Sequence, residues 1–222
     1  MDAGRLRPYV TDAATPVSSL RLPDDPHAAT QTLLAALPQE MLCAILDDLE
    51  LRCPPSREEI DAHRTLTWEM LAEMHRDGFT IGSHTRSHPL LTMEDAAKVR
   101  DEVVGSRRRL QRRLGVKIDH FAYPDGRFSP GVVDAVRAAG YRFAYGICAH
   151  RDAREPLLTI PRRMLWESAC VDGRGRFSAT VMSCNINGVF DPFDPCRRNH
   201  EAVADATAAD NRASRRWVRN AL

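Results

Sequence analysis

A chain of 222 residues with 43% apolar and 27% charged residues can bury one sizeable core, and that balance excludes a disordered or fibrous class. Its formal net charge of +1 gives the chain as a whole no electrostatic case for nucleic acid or anionic lipid as a partner. Six scattered cysteines (Cys43, Cys53, Cys148, Cys170, Cys184, Cys196) contain no C-x-x-C pair, and neither a signal-type apolar run nor a membrane-spanning window is present, so the expectation is a cytoplasmic chain with free thiols and no membrane insertion.

Residues 1–27 are rich in Pro, Asp, Ser and Arg, with one short alternating run from Val17 to Leu22, and read as irregular with a weak strand. Apolar residues then recur at helical spacing over Ala28–Leu37 and Gln39–Leu49, with Pro38 between the two helices. After the Cys53-Pro54-Pro55 break, Ser56 and Glu59 form a capping-box pair for a short helix through His63. Thr67 caps the next helix, whose Trp68, Leu71, Met74 and His75 share a face, and Gly78 stops it. Phe79–Ser83 reads as a short buried strand. Thr92 is the expected cap of a long helix to about Leu114, with Asp95 in the capping-box position, Val99, Val103, Leu110 and Leu114 as its buried stripe, and Gly115 past its end.

Phe121–Tyr123 reads as a strand entering the Pro124-Asp125-Gly126 turn, and Ser129-Pro130 opens a helix that Gly140 closes. Tyr141–Ile147 and Leu157–Leu165 read as further strands, the second at an edge because of Pro161. Asp191–Pro195 reads as a loop, and residues 200–222 as an exposed helix or a frayed tail. Strand–helix–strand–helix–strand from Phe79 to Ile147 is the pattern of an α/β domain with a parallel sheet. Arg107-Arg108-Arg109 with Arg112-Arg113 is expected to be the solvated face of the long helix. Trp68 and Trp166 are expected in the core rather than on a sugar ring.

The stretch Ser83-His84-Thr85-Arg86-Ser87-His88-Pro89 carries the chemistry. Imidazoles at i and i+4 meet one metal ion if the chain between them makes a helical turn. This stretch resembles the H-[ST]-x-x-H-P motif of the polysaccharide deacetylases, the NodB-homology or carbohydrate-esterase-4 family, and the resemblance extends from about Thr65 to Leu165. It implies an irregular (β/α) barrel, incomplete here and preceded by extra N-terminal helices. It also implies a divalent metal, zinc, held by His84 and His88, and removal of acetyl groups from a polysaccharide or amino-sugar polymer.

Phe121-Ala122-Tyr123-Pro124-Asp125-Gly126 falls where the family has R-x-P-[YF]-G. Pro124 and Gly126 match; Ala122 stands in the place of the usual arginine and Asp125 in that of the aromatic. The resemblance makes the Asp125 backbone N–H the oxyanion donor and Tyr123 and Pro124 substrate-binding residues; a plain turn is the equal alternative for Asp125. The family's T-F-D-D motif, source of its metal and base aspartates, has no clear counterpart. Asp24-Asp25 and Asp47-Asp48 are the acidic pairs upstream of the histidines, and the family's late L-x-H histidine is matched by neither His150 nor His200. The expected organisation is an irregular and helical segment over 1–64, a partial deacetylase domain over 65–166 and a weakly structured extension over 167–222. The competing reading is a truncated or degenerate homologue, without catalysis, that at most binds a glycan or a partner.

Overall fold

The computed structural model describes residues 22–147, 150–163 and 165–190. The run Val17–Leu22 apart from Leu22, the Asp191–Pro195 loop, His200 and the 200–222 helix lie outside the described residues. Two compact units are distinguished: one holds the described residues up to Phe79 with Met93–Lys98, and the other Thr80–Thr92 with the described residues from Val99 onward.

In the first unit, α1 (Pro26–Ala36) starts at Asp25, whose carboxylate accepts the Ala28 N–H at 2.7 Å. Helix α2 runs from Gln39 to Arg52. Ala29, Leu33 and Leu37 pack with Met41 and Ile45 into a small core of their own. The Ser56–Glu59 capping box is formed as expected and opens α3 (Arg57–Ala62). Thr67 caps α4 (Trp68–Arg76) through the Met70 N–H, and Gly78 follows with φ +92°, the left-handed conformation that ends a helix cheaply only at glycine.

The second unit is a partial α/β sheet. Strands β1 (His120–Ala122) and β2 (Phe143–Tyr145) pair in parallel. Ser83 bridges Phe121 on one side and Ile160 bridges Tyr145 on the other, both also parallel. Four extended segments therefore lie side by side in chain order, which is an arc of parallel sheet and fits an incomplete barrel. Helix α5 (Ala96–Leu114) crosses over from the first segment to β1. Helix α6 (Pro130–Ala138), capped by the Ser129 side chain, crosses over from β1 to β2. Alternation along the strands turns Phe121 and Ala144 into the core with Val99, Val103, Val132, Val133 and Val136. It leaves His120, Ala122, Phe143 and Tyr145 half-buried on the opposite face.

Several expectations need correction. The long helix is capped by Asp95, whose carboxylate accepts the Lys98 N–H at 2.8 Å, while Thr92 sits in the preceding 3-10 turn Leu91–Met93. Phe79–Ser83 pairs only at Ser83, and Phe79 is exposed. Among the described residues, Leu157–Leu165 reduces to a 3-10 turn at Pro156–Leu158 and a bridge at Ile160. Trp166 is exposed, not core. Arg107 is half-buried and holds backbone carbonyls, unlike Arg108, Arg109, Arg112 and Arg113, which are exposed. Past Trp166 the described chain forms an antiparallel bridge between Val171 and Phe177 and a last helix, α7 (Ala179–Ile186). Among the described residues no helix is long and apolar enough to cross a membrane.

Candidate metal centre

The two histidines lie where the first segment of the arc ends, at the C-terminal edge of the parallel strands, where α/β folds gather their chemistry. Ser83 is fixed by exchange with β1: its N–H donates to His120 O and its carbonyl accepts the Ala122 N–H, both at 2.8 Å. His84 Nδ1 lies 2.7 Å from the Ala122 carbonyl. A carbonyl can only accept, so Nδ1 carries the proton and the Nε2 lone pair is left for a cation, the arrangement typical of metal-ligating imidazoles. Burial lowers the His84 pKa; the Ala122 carbonyl opposes this, and the charges of His88 and Arg162 lower it further. A neutral ring is the form that ligates metal.

The rings of His84 and His88 meet edge to face with centroids 4.7 Å apart. The expected helical turn between them is not formed. Thr85 and His88 instead adopt left-handed backbone, φ +68° and +59°. For non-glycine residues this costs on the order of 1–3 kcal/mol each, and for β-branched Thr85 it is a true outlier. The turn is held from several sides. Thr85 Oγ1 donates to His84 O and accepts the His88 N–H. Glu102 of α5, 1% exposed, accepts the N–H groups of Arg86 and Ser87 on Oε2 at 2.7 and 3.0 Å, and the Ser87 hydroxyl on Oε1 at 2.6 Å. The Arg86 guanidinium pairs with Asp101 at 2.7 Å, and its stem lies where a Cβ on Gly105 would intrude. Ser83 Oγ donates to Ser106 Oγ at 2.7 Å.

The second motif follows directly from Ala122. Tyr123 is fully buried, its ring edge-on to Phe121 and tilted on Phe128, and its hydroxyl donates to the Leu158 carbonyl at 2.8 Å. Pro124 is buried as well, so neither side chain offers exposed surface. Asp125 has φ +49° in the 3-10 turn Pro124–Gly126, and its carboxylate accepts from Arg127 Nε at 2.8 Å. A Cβ on Gly126 would lie 2.6 Å from the Ile147 backbone nitrogen, so the turn needs glycine there for close approach as well as for its φ of +65°.

Other sequence candidates have structural employment. Asp25 caps α1, Asp48 pairs with Arg52 at 2.9 Å, and the His150 ring lies tilted against Phe128 with centroids 5.5 Å apart. Among the described residues no group of three or more His, Cys, Asp or Glu side chains could hold a metal ion. The histidine pair suits a divalent cation as two ligands of a set, and the described residues do not complete that set. Glu102, Ser106 and Arg162 escaped the sequence reading. The first two carried a usable signal, because Asp101, Glu102, Gly105 and Ser106 are polar or small at i, i+1, i+4 and i+5 and so share one helix face. Arg162, whose Nε donates to Gly146 O at 2.9 Å, had none.

The polysaccharide deacetylase family model matches residues 53–144. Among solved structures, the chain is similar to the Streptococcus pyogenes deacetylase PplD in complex with acetate, at 24% identity and TM-score 0.43 over 47% of each chain. It is similar to a polysaccharide deacetylase from Bacillus cereus at 20% identity and TM-score 0.42, over 56% of this chain and 42% of that one. IcaB from Ammonifex degensii gives 17% identity and TM-score 0.39 over 74% of this chain and 82% of that one. The chain thus spans about half the length of the first two, 47% and 42%. No curated protein matches it. Both histidines and the Tyr123–Gly126 turn fall inside the segment, residues 53–144, over which the chain is similar to the polysaccharide deacetylases.

Proposed function

We propose that the chain is a hydrolase that removes acetyl groups from a carbohydrate polymer, with a divalent cation, zinc, held in part by His84 and His88. The observation that carries this is the hydrogen bond from His84 Nδ1 to Ala122 O, which fixes the tautomer and leaves the Nε2 lone pair for a ligand, with the His88 ring centroid 4.7 Å from that of His84. Bound there, a divalent cation supplies Lewis acidity, polarising a carbonyl and making a neighbouring water more acidic. The chain's own part is to hold the His84 imidazole neutral and aimed, with His88 beside it. In this reading the Asp125 N–H meets the developing oxyanion, because the tight turn after Ala122 keeps that amide close in sequence to the His84 anchor. Tyr123 and Pro124 act through their buried packing, which sets where the turn stands.

The second reading, a non-catalytic homologue that at most binds glycan, is favoured by the two-ligand donor set of the described residues. Metal analysis of the full chain beside the His84→Ala/His88→Ala double variant separates the two. The expected result is about one zinc per chain, lost in the variant, with acetate released from an acetylated amino-sugar oligomer by the wild type only. Wild-type protein that takes up no zinc and releases no acetate overturns the hydrolase reading and leaves the non-catalytic one.

A further inference from the structure

We propose that Glu102 is a positioning residue: its buried carboxylate fixes the turn between His84 and His88 and thereby sets how the two imidazoles face one another. The inference deepens the metal-centre reading and rests on it for its functional meaning.

Backbone N–H groups that leave a sheet ladder must find other acceptors. Arg86 and Ser87 leave the ladder immediately after Ser83, and no helical turn takes them up. Both of their N–H groups converge on one oxygen of Glu102, and the Ser87 hydroxyl takes the other. A carboxylate that is 1% exposed is costly unless hydrogen-bonded. Hydrogen bonds to an ionised acceptor are also the strong kind.

Glu102 sits between Val99 and Val103, both buried in the core of the second unit, where an apolar side chain would otherwise be expected. The rest of the face repeats the theme: Asp101 holds the Arg86 guanidinium, Gly105 leaves room for its stem, and Ser106 takes the Ser83 hydroxyl. One stripe of α5 therefore grips the loop from Ser83 to Ser87. That grip is independent of the anchor from His84 to Ala122. It supports a backbone that is left-handed at Thr85 and His88.

The test has one arm that needs no metal and one that does. In the metal-free wild type, native-state exchange of the Arg86 and Ser87 amides is expected to be at least about a hundredfold slower than in an unfolded chain. Exchange at unprotected rates overturns the proposal without any variant having to fold. In Glu102→Met, which keeps the volume and removes the acceptors, these two amides become fast while the Val103 amide stays slow.

By competition titration, zinc affinity should fall roughly ten- to hundredfold in Glu102→Met. Glu102→Gln should stay within a few-fold of wild type, because its amide oxygen still accepts both N–H groups. Val103→Ala, a purely structural control on the same helix, should lower the melting temperature and leave zinc affinity in place. Equal zinc affinity in Glu102→Met and wild type, or an equal loss in Val103→Ala, overturns the positioning role. If the wild type binds no zinc, the metal reading fails, and the exchange arm still decides whether Glu102 holds the turn.

Discussion

Tyr123 shows how much a single position can mean beyond its motif. Along β1 and the extended residue that follows it, side chains at i and i+2 share a face, so Phe121 and Tyr123 point together into the core and Ala122 points away. Burial raises the Tyr123 phenol pKa, and the carboxylates of Asp152 and Glu155 raise it further. Both effects keep the hydroxyl protonated and thus a donor to the Leu158 carbonyl. This placement predicts that Tyr123→Phe lowers stability by about 1–2 kcal/mol, since a buried carbonyl loses its donor. KM for an acetylated oligomer should not change. Thermal denaturation and steady-state kinetics check the two halves. A raised KM with unchanged stability would return Tyr123 to the role of a direct substrate contact.

At the scale of elements, α5 was legible in its C-terminal end and in the Val99 and Val103 part of its apolar stripe, and illegible in its first residue and in what its other residues hold. The period of Val99 and Val103 announces a buried face, and Gly115 a C-terminus. The polar or small face of Asp101, Glu102, Gly105 and Ser106 marks a second side of the helix, but nothing local names what it holds, because the partners of Glu102 are N–H groups 15 and 16 residues away in sequence. The arginine run shows the same limit. Arg108 and Arg109 are solvated as their spacing suggests, yet Arg107 turns inward at the far end of the sheet. Its Nε donates to Ile118 O at 2.7 Å and its Nη1 to Ala139 O at 2.8 Å. Its guanidinium lies 5.3 Å from the Tyr141 ring centroid and 3.7 Å from the Asp119 carboxylate. Gly140, at φ +84°, leaves the room, since a Cβ there would lie 2.9 Å from Nη1.

A planar fork is needed to reach two carbonyls at once, and an ammonium cannot replace it. Arg107→Lys is therefore expected to cost about 1–3 kcal/mol, read as a lower urea midpoint with an unchanged m-value. A midpoint equal to wild type would show that charge alone, not the fork, holds this corner. The Asp119 carboxyl is pushed up by burial but pulled below its usual range by Lys117, Arg142 and Arg107. A carboxylate with a depressed folded-state pKa stabilises the fold above its unfolded value and loses that contribution as pH falls through the folded value. Removing the charge, as in Arg107→Met, should accordingly make the loss of stability on acidification slightly shallower than in wild type.

For the whole molecule, the sequence conveyed the helices and their caps well, because caps and periodicity are local signals: Ser56, Thr67 and Ser129 all cap as their spacing suggests. The strands were legible as positions and not as a sheet. Pairing is non-local, and of the four segments only β1 and β2 pair over three residues, while Phe79–Ser83 and Leu157–Leu165 keep one bridge each. The histidine pair was legible through its motif, and the turn that brings the rings together was not, since left-handed Thr85 and His88 depend on acceptors supplied by α5.

Among the described residues, two clusters of buried apolar side chains have no member in common, one from Ala29 to Ile45 and one from Leu91 to Leu158. Every residue that shapes the candidate centre, from Ser83 through His88 to Glu102 and Ala122, belongs to the second unit. Damage to the first cluster should therefore stay local. Met41, 1% exposed at the middle of that cluster, loses most of its packing in Met41→Ala, at a cost of about 2–5 kcal/mol. Amide exchange in α1 and α2 should accelerate while the amides of Val133 and Val136 keep their protection and zinc affinity stays at the wild-type value. Equal acceleration in α6 would mean that the two clusters unfold as one cooperative body. In that case the support of the histidine turn would extend beyond the stripe of α5 that touches it.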